Sequence, residues 1–315
     1  MAVLRIVFLG TPQFAVPSLQ CLVERRENII AVVTQPDRPV GRGRNVVTCP
    51  VKQYALEQGL QVLQPEKVNR PEFLAAFKAL NPDLAVVVAY GQIFSQALLD
   101  IPRYGFINVH ASLLPAYRGP APINWAIING DTETGITIMK VSLRMDEGDI
   151  VLQEKIPILP DDDAQRLHDR LSVLGGKLVG VALDLLRNNA WHPVPQDHRC
   201  ATYAPLLKKE DGLIDWTCDA QTIARRIRGM TPWPGTYTFY NGRLLKIHRS
   251  SVVPWCGDAP PGTIVAVSPE GILTATGNGA LLLTEVQLEG KKRMTAEEFV
   301  RGHVLTPGTR FTTTR

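Results

Sequence analysis

The chain has 315 residues, which predicts two domains at about 100–200 residues per domain. Its hydrophobic fraction of 45% and charged fraction of 20% are typical of a globular protein with a sizeable core, and they exclude a disordered chain. The formal charge of +4 neither indicates nor excludes a nucleic-acid partner. No apolar run reaches the roughly 20 residues that span a bilayer, and the first residues lack a basic leader and a cleavage site, so we expect no membrane association.

The first half of the chain alternates short apolar strands with helical patterns. We predict strands at 4–9, 29–34, 61–63, 84–89, 105–110, 137–142 and 150–158, and helices that end near 26 or span 50–58, 70–80 and 163–187. Near-continuous Val, Ile and Leu strands separated by helices indicate a mostly parallel sheet that is covered on both faces. The fold class is therefore α/β with a Rossmann-like sheet, although the motifs GxGxxG and GxxxxGK[ST] are both absent.

The second half of the chain has a different pattern. Residues 188–207 contain three prolines and no helical period, which favours a linker. A helix at 220–230 then precedes short strands at 237–240, 244–253, 263–267, 272–275 and 281–288. Such strands without a long intervening helix indicate a small OB-like β-barrel. We therefore place the first domain at 1–189, a linker at 190–208 and a C-terminal domain at 209–315.

The cysteines and histidines give no sign of a disulfide framework or a metal site. Five cysteines lie far apart with no CxxC pair, which favours reduced thiols in the cytoplasm. The six histidines do not cluster at metal-ligand spacing. We therefore expect a cytoplasmic protein that holds no metal.

Asn108 and His110 stand at the end of a predicted strand, in the segment NVHASLLP. Strand alternation places both side chains on the same side, and ligands of open α/β sheets bind at the carboxyl ends of strands. An amide can donate to a developing oxyanion and an imidazole can exchange a proton near neutral pH, so the pair suits acyl transfer. The residues alone leave open that His110 satisfies a buried hydrogen bond and that Asn108 caps the strand.

The segment MDEGD supplies a carboxylate that could complete such a site. Its glycine marks a loop between two strands, and Asp149 opens the second of them, so Asp146 is the candidate. A carboxylate near His110 would orient the ring and favour imidazolium. The alternative that remains open is a solvated acidic turn.

Residues 34–49 form a connection that is too long for an ordinary βα loop. Arg38, Arg42 and Arg44 are interspersed there with proline and glycine. We expect a mobile segment that can reach phosphate groups, with a solvated surface loop as the alternative.

Several segments spread over nearly all of the chain resemble the methionyl-tRNA formyltransferases. They are FLGTPQFA (8–15), TQPDRPVGRGR (34–44), VVAYGQI (87–93), INVHASLLPAYRGPAPINWAI (107–127), MDEGDI (145–150) and TYAPLLKKEDGLIDW (202–216). The HxSLLP segment with a downstream aspartate is shared by folate-dependent formyltransferases in general. The basic loop and the C-terminal domain narrow the resemblance to the members that act on initiator tRNA. Ala111 stands where the family more often has glycine, a small-for-small change.

The resemblance implies transfer of a formyl group from 10-formyltetrahydrofolate to the α-amino group of methionine on initiator methionyl-tRNA, for translation initiation. It assigns catalysis to Asn108, His110 and Asp146. The implied folate contacts are Ser112, Leu113, Leu114, Pro115, Val88 and Tyr90. The implied tRNA contacts are Arg38, Arg42 and Arg44, together with the C-terminal domain. We also expect no metal and a monomer.

Other functions fit parts of the same sequence. A formyltransferase acting on a small amine would be shorter or lack the arginine-bearing loop, and a 10-formyltetrahydrofolate hydrolase would need no surface of tRNA size. A non-enzymatic RNA-binding module beside an inactive α/β domain predicts binding without turnover. The joint presence of Asn108, His110 and Asp146 argues against it, because an idle site has no need of all three.

Overall fold

The structure, a computed structural model, describes residues 3–40 and 45–314. The chain divides into two units, of which the first comprises residues 1–122, 133–157 and 168–204. The second unit comprises residues 123–132, 158–167 and 205–315, so it takes two short pieces from within the sequence of the first. The domain limits drawn from the sequence stay a prediction.

Each strand and helix predicted from the sequence is found, with its ends shifted by a few residues. The strands are β1 (Arg5–Gly10), β2 (Asn28–Val33), β3 (Arg38–Val40), β4 (Asn45–Val47), β5 (Val62–Leu63), β6 (Leu84–Val88), β7 (Phe106–His110), β8 (Glu133–Lys140), β9 (Ile150–Pro157), β10 (Thr236–Tyr240), β11 (Arg243–Val253), β12 (Ile264–Ser268), β13 (Gly271–Ala275), β14 (Ala280–Leu288) and β15 (Met294–Thr295). The α-helices are α1 (Val16–Glu24), α2 (Pro50–Glu57), α3 (Pro71–Ala79), α4 (Gln96–Leu99), α5 (Pro122–Asn129), α6 (Ala164–Arg187), α7 (Ala220–Gly229) and α8 (Ala296–Gly302). Short 3₁₀ turns lie at Gln13–Ala15, His198–Cys200 and Lys209–Gly212.

The first unit is built on one seven-stranded sheet with the order β5-β2-β1-β6-β7-β8-β9. The pairs from β5 to β7 are parallel, whereas β8 and β9 join the sheet in antiparallel fashion. All five residues of β6 are buried, as expected of a strand that is covered on both faces. The strand order reverses beside β1, and the predicted α/β class with a mostly parallel sheet is confirmed.

Several elements were not expected from the sequence, among them α4, α8 and β15. Residues 34–49, expected to be an irregular loop, contain the antiparallel hairpin β3–β4, in which Arg38 pairs with Val47. Helix α5 was not predicted, because its sequence PINWAIIN is apolar over consecutive positions and shows no helical period.

Helix α6 lies very close to β7 and α1. A methyl group on Gly175 would lie 2.8 Å from Cγ1 of Val109, and one on Gly176 would lie 2.6 Å from the carbonyl oxygen of Pro17. Glycine inside a helix costs about 1 kcal/mol relative to alanine. The two glycines lower the helix propensity of α6 but allow its backbone to lie close to β7 and α1. This packing fixes the strand that carries Asn108 and His110.

The second unit contains an antiparallel sheet with the order β10-β11-β14-β13-β12, and β15 pairs with β14. Residues near the end of the chain join the two edges of this sheet. Thr312 pairs with Phe239 in β10, and Arg310 pairs with Thr263 next to β12. The sheet is thereby closed, and the predicted small barrel is confirmed.

The barrel encloses an apolar core, towards which alternate residues of β10 point. In β10 the first, third and fifth residues are buried, and Trp216 stacks on Phe311 with ring centroids 5.5 Å apart. Helix α7 begins at the cap Asp219, whose carboxylate accepts a hydrogen bond from the backbone N–H of Thr222. None of the helices in the described residues combines the length and the apolar character that a membrane crossing requires.

Candidate active site

Strand β7 brings Asn108 and His110 to the carboxyl end of the parallel part of the sheet. Asn108 lies opposite Val87 of β6, and His110 lies opposite Thr137 of β8. His110 is 6% exposed, whereas Asn108 is partly exposed. The imidazole is thus held in a largely dry position, where its hydrogen bonds are strong.

Both ring nitrogens of His110 face oxygen atoms. Nε2 lies 2.9 Å from the carbonyl oxygen of Tyr117, and Nδ1 lies 3.6 Å from Oδ1 of Asp146. A carbonyl oxygen can only accept a hydrogen bond. Nε2 therefore carries a proton and donates a hydrogen bond to the carbonyl oxygen of Tyr117. The other nitrogen faces a carboxylate, an arrangement that both satisfies and orients an imidazolium ring. The structure therefore brings His110 and Asp146 together.

The loop between β8 and β9 presents Asp146 to the histidine in a strained conformation. Asp146 has φ +55°, in the left-handed region, which costs a non-glycine residue on the order of 1 kcal/mol. The second carboxylate oxygen, Oδ2, accepts a hydrogen bond of 2.8 Å from the backbone N–H of Gly119. Gly148 makes the turn possible, because a Cβ there would lie 1.7 Å from the carbonyl oxygen of Lys140.

Two contacts of this site escaped the sequence analysis, namely the carbonyl of Tyr117 and the N–H of Gly119. Both are main-chain groups, so the identity of the side chain at either position does not indicate the contact. The available signal was the glycine itself, which has φ +111° and leaves room for the carbonyl oxygen of Ala204.

The predicted folate segment is held in place by hydrogen bonds to its own turn and to β9. Ser112 donates to the carbonyl of Ala116 at 2.6 Å, and the side-chain amide of Gln153 donates to the carbonyl of Leu114 at 2.8 Å. Ser112 and Leu114 are buried, while Leu113 and Pro115 are partly exposed. Folate contacts from this segment stay a prediction.

The two other predicted folate residues lie in and after β6. Val88 is fully buried, and Tyr90 is 2% exposed. Burial raises the pKa of Tyr90 far above its ordinary value, and its hydroxyl has no hydrogen-bond partner within the described residues. A buried hydroxyl of this kind is costly unless something satisfies it.

The cavities between described residues of the first unit include the two that follow. The α4 pocket, of about 510 Å³, is lined by residues that include Gln96, Leu99, Phe106, Lys140, Arg144 and Glu147. The hairpin pocket, of about 520 Å³, is lined by residues that include Thr11, Gln35, Asp37, Arg38, Cys49 and Tyr90. Both volumes fall in the range of about 300–1,000 Å³ that is typical of small-molecule sites.

The stem of the β3–β4 hairpin is fixed to the rest of the first unit. Lys52 forms an ion pair with Asp37 and donates to Gln64 at 2.7 Å, and the hydrogen bond from Lys52 lowers the pKa of Asp37. Gln35 donates to the carbonyl of Tyr90 at 3.0 Å. Arg38, the first residue of β3, is exposed.

Of the three arginines predicted to contact tRNA, Arg42 and Arg44 lie outside the described residues. Their role stays a prediction, as does that of Arg38. Among residues 3–40 and 45–314, no three His, Cys, Asp or Glu side chains come together in a way that would hold a metal ion.

Known proteins share this fold and these sequence features. The family model Formyl transferase matches residues 4–183, and the model Formyl transferase, C-terminal domain, matches residues 206–304. The fold is also that of HypX from Aquifex aeolicus in complex with tetrahydrofolic acid, with TM-score 0.65 and 18% identity over 95% of this chain and 47% of HypX. An N-formyltransferase from Helicobacter canadensis, in complex with folinic acid and dTDP-3-aminofucose, has TM-score 0.65 and 17% identity over 92% of this chain and all of its own. The fold and the family models thus define a formyl transferase.

The sequence narrows this class further. A methionyl-tRNA formyltransferase of Geobacter metallireducens is 54% identical over 310 residues, which cover 98% of this chain and 99% of the relative. The chain belongs to the methionyl-tRNA formyltransferase family.

Proposed function

We propose that this chain transfers the formyl group of 10-formyltetrahydrofolate to the α-amino group of methionine on initiator methionyl-tRNA, with Asn108, His110 and Asp146 at the reaction centre. The observation that carries the proposal is the approach of His110 Nδ1 to Asp146 at 3.6 Å, at the end of the strand that also bears Asn108. Family membership supplies the reaction, and this geometry supplies groups that can perform it.

The chemistry asks the protein to stabilise charge and to move one proton. A neutral amine attacks the formyl carbon, which becomes tetrahedral while its oxygen gains negative charge. The side-chain amide of Asn108 and the Nε2–H of His110 donate to this oxygen, and the oxyanion takes the place of the Tyr117 carbonyl. Asp146 keeps the ring oriented and helps to relay the proton that the amine loses to N10 of the folate. As the tetrahedral intermediate collapses, the bond between N10 and the formyl carbon breaks and tetrahydrofolate leaves.

The α4 pocket is a suitable place for the folate, since Arg144 and Glu147 bring its wall to both sides of Asp146. Leu99 and Phe106 give it an apolar surface, and Lys140 supplies positive charge for the carboxylates of the folate. The folate residues predicted from the sequence do not line this pocket, and one of them, Tyr90, lines the hairpin pocket instead. In this proposal Ser112–Pro115 and Val88 support the site from the sheet side.

The tRNA is recognised by a basic surface in this proposal. Arg38, Arg42 and Arg44 contact phosphates at the acceptor end of the tRNA. The C-terminal domain at 209–315 supplies further phosphate contacts. The domain at 1–189 carries the chemistry, and residues 190–208 link the two. The protein acts in the cytoplasm as a monomer.

A formylation assay tests the proposal. Purified protein is given 10-formyltetrahydrofolate with methionylated initiator tRNA, with free methionine, or with small amines, and a His110→Ala variant is the control. We expect formyl-methionyl-tRNA from the wild type and almost none from the variant. Formylation of a small amine but not of the charged tRNA would refute the assignment.

A further inference from the structure

Gln196 holds the main chain of the loop that carries Asp146. Its side-chain Nε2 donates to the carbonyl oxygens of Asp146 and Gly148, both at 2.8 Å. Gln196 is 6% exposed, so these bonds are sheltered from water. The residue lies 50 positions from Asp146 in the sequence, in a segment that Val194 ties to Ile150 by two backbone hydrogen bonds. One amide group therefore clamps the residues on both sides of Glu147.

Arg118 fixes which way this amide points. Its Nε and Nη2 donate to Oε1 of Gln196 at 3.1 and 2.7 Å. A guanidinium has only donors, so the amide must turn its oxygen towards Arg118. The NH₂ group of Gln196 therefore faces the loop. The side chain of Arg118 is 2% exposed, and its Nη1 lies 3.3 Å from Oε1 of Glu147.

The segment around Arg118 also touches the histidine and the aspartate directly. The carbonyl of Tyr117 accepts from His110, and the N–H of Gly119 donates to Asp146, as described above. Backbone bonds of 2.8 and 2.7 Å between Arg118 and residues Thr202 and Ala204 anchor the segment. Three consecutive residues thus set the positions of both members of the pair.

We propose that Arg118 and Gln196 are positioning residues, which hold the main chain of Asp146 in the left-handed conformation that presents its carboxylate to His110. The inference rests on the proposed function for its kinetic consequence but not for its geometry. Without the clamp, Asp146 relaxes towards an ordinary backbone conformation, and its carboxylate leaves Nδ1 of His110. The distance between these groups is the quantity that the clamp controls.

The variant Gln196→Glu separates positioning from simple packing. A glutamate keeps the volume and can still accept from Arg118, but it loses the two donors that face Asp146 and Gly148. Gln61, an exposed glutamine of the same unit, provides the matched control Gln61→Glu. Both variants are measured alone and together with Asp146→Asn, for kcat and for the KM of each substrate.

We expect Gln196→Glu to lower kcat at least about tenfold and to leave both KM values within about threefold. The double variant with Asp146→Asn should be no slower than Asp146→Asn alone, because both changes act through one carboxylate. Gln61→Glu should match the wild type. In a crystal structure of Gln196→Glu, the distance from His110 Nδ1 to Asp146 Oδ1 should exceed the present 3.6 Å.

Three results would overturn the inference: wild-type kcat in Gln196→Glu, a further loss of kcat in the Asp146→Asn background, or an unmoved loop in the crystal structure. A wild-type protein that makes no formyl-methionyl-tRNA refutes the proposed function instead, and the crystal structures then decide the positioning role. If Gln196→Glu does not fold, Arg118→Lys replaces it, since one ammonium cannot reproduce the forked contact. The same pattern of kcat, KM and non-additivity is expected.

Discussion

Asp146 uses its two carboxylate oxygens on two different partners, an imidazole and a main-chain N–H. An amide in its place has one oxygen and one NH₂, so it can satisfy Gly119 only by turning a donor towards His110. In the proposed mechanism, the oriented ring that donates to the oxyanion is then lost. Because loss of one oxyanion donor costs about 100- to 1,000-fold in rate, we expect Asp146→Asn to lower kcat by that order while the fold is kept.

The neighbouring aspartate is the control for this prediction. Asp149→Asn alters the same acidic segment by the same chemistry but lies three residues further along the chain, next to β9. Steady-state kinetics with methionyl-tRNA should give near-wild-type kcat for Asp149→Asn. Equal kcat for the Asp146→Asn variant and the wild type would show that Asp146 has no such role.

At this scale the sequence predicts side chains better than main-chain contacts. Strand alternation and a known motif pointed to Asn108 and His110, and a glycine-marked turn pointed to Asp146. The carbonyl of Tyr117 and the clamp from Gln196 left no local pattern, because each depends on a distant segment folding back. Likewise, no periodicity could reveal that Ser112 bonds within its own turn.

The loop between β8 and β9 is the element that decides whether the site assembles. A methyl group on Gly148 would lie 1.7 Å from the carbonyl oxygen of Lys140, which is backbone and cannot rotate away. The loop must therefore shift, and Asp146 shifts with it. We expect Gly148→Ala to lower kcat about 100-fold or more, because the carboxylate of Asp146 is displaced. The variant should still fold, with a cooperative thermal transition.

Gly302→Ala is the comparison, since nothing lies within 4 Å of a Cβ at that position in α8. Kinetics and thermal unfolding of both variants check the expectation. A Gly148→Ala enzyme with wild-type kcat would mean that the loop tolerates the displacement.

Helix α7 depends on its cap. Asp219 accepts from the N–H of Thr222 at 2.9 Å and from its hydroxyl at 2.6 Å, and these bonds lower the pKa of the carboxyl. Asp219→Ala should destabilise the protein by about 1 kcal/mol at neutral pH, whereas Asp219→Asn, which still caps, should lose less.

The lowered pKa of Asp219 also sets a pH dependence. Its contribution to stability is fully present above the ordinary carboxyl pKa and is lost as pH falls through the lowered folded value. The difference in urea midpoint between the wild type and Asp219→Ala should therefore shrink in strong acid. A difference that grows on acidification would contradict this account.

Hydrophobic periodicity predicted the helices and strands that bury one face, and continuous apolar runs predicted the strands that are wholly buried. Periodicity gave no signal for α5, whose residues Ala126–Ile128 are all buried in succession, or for β3 and β4, which have only three residues each. The predicted barrel strands agree to within a residue or so, because glycine or proline marks each end.

For the molecule as a whole, the distribution of charge matters more than the sum. Residues 209–315 carry 13 Lys and Arg against 10 Asp and Glu, and residues 34–49 carry three Arg against one Asp. A nearly neutral chain can thus present basic regions to a polyanion. These basic regions can be located from the sequence. The assignment of residues 123–132 and 158–167 to the second unit cannot be predicted from the sequence, because it depends on contacts in space.

If these regions bind phosphates, affinity for tRNA should fall steeply with salt. We expect a linear decrease of log K with log salt concentration, and Arg42→Ala should reduce the slope by about 1. Lys67→Ala, an exposed change outside the hairpin, is the matched control. Filter binding between low and high salt measures the slopes, and a flat dependence for the wild type would argue against phosphate contacts.

The barrel of the second unit is closed by a few residues near the end of the chain, among them Phe311, which is 2% exposed. A variant truncated after Pro307 would uncover two strand edges and the face of Trp216 at once. Uncovered edges are templates for pairing with other chains. Light scattering should therefore show self-association of the truncated variant, whereas the full chain stays dispersed, and residues 308–312 are expected to protect the barrel in this way.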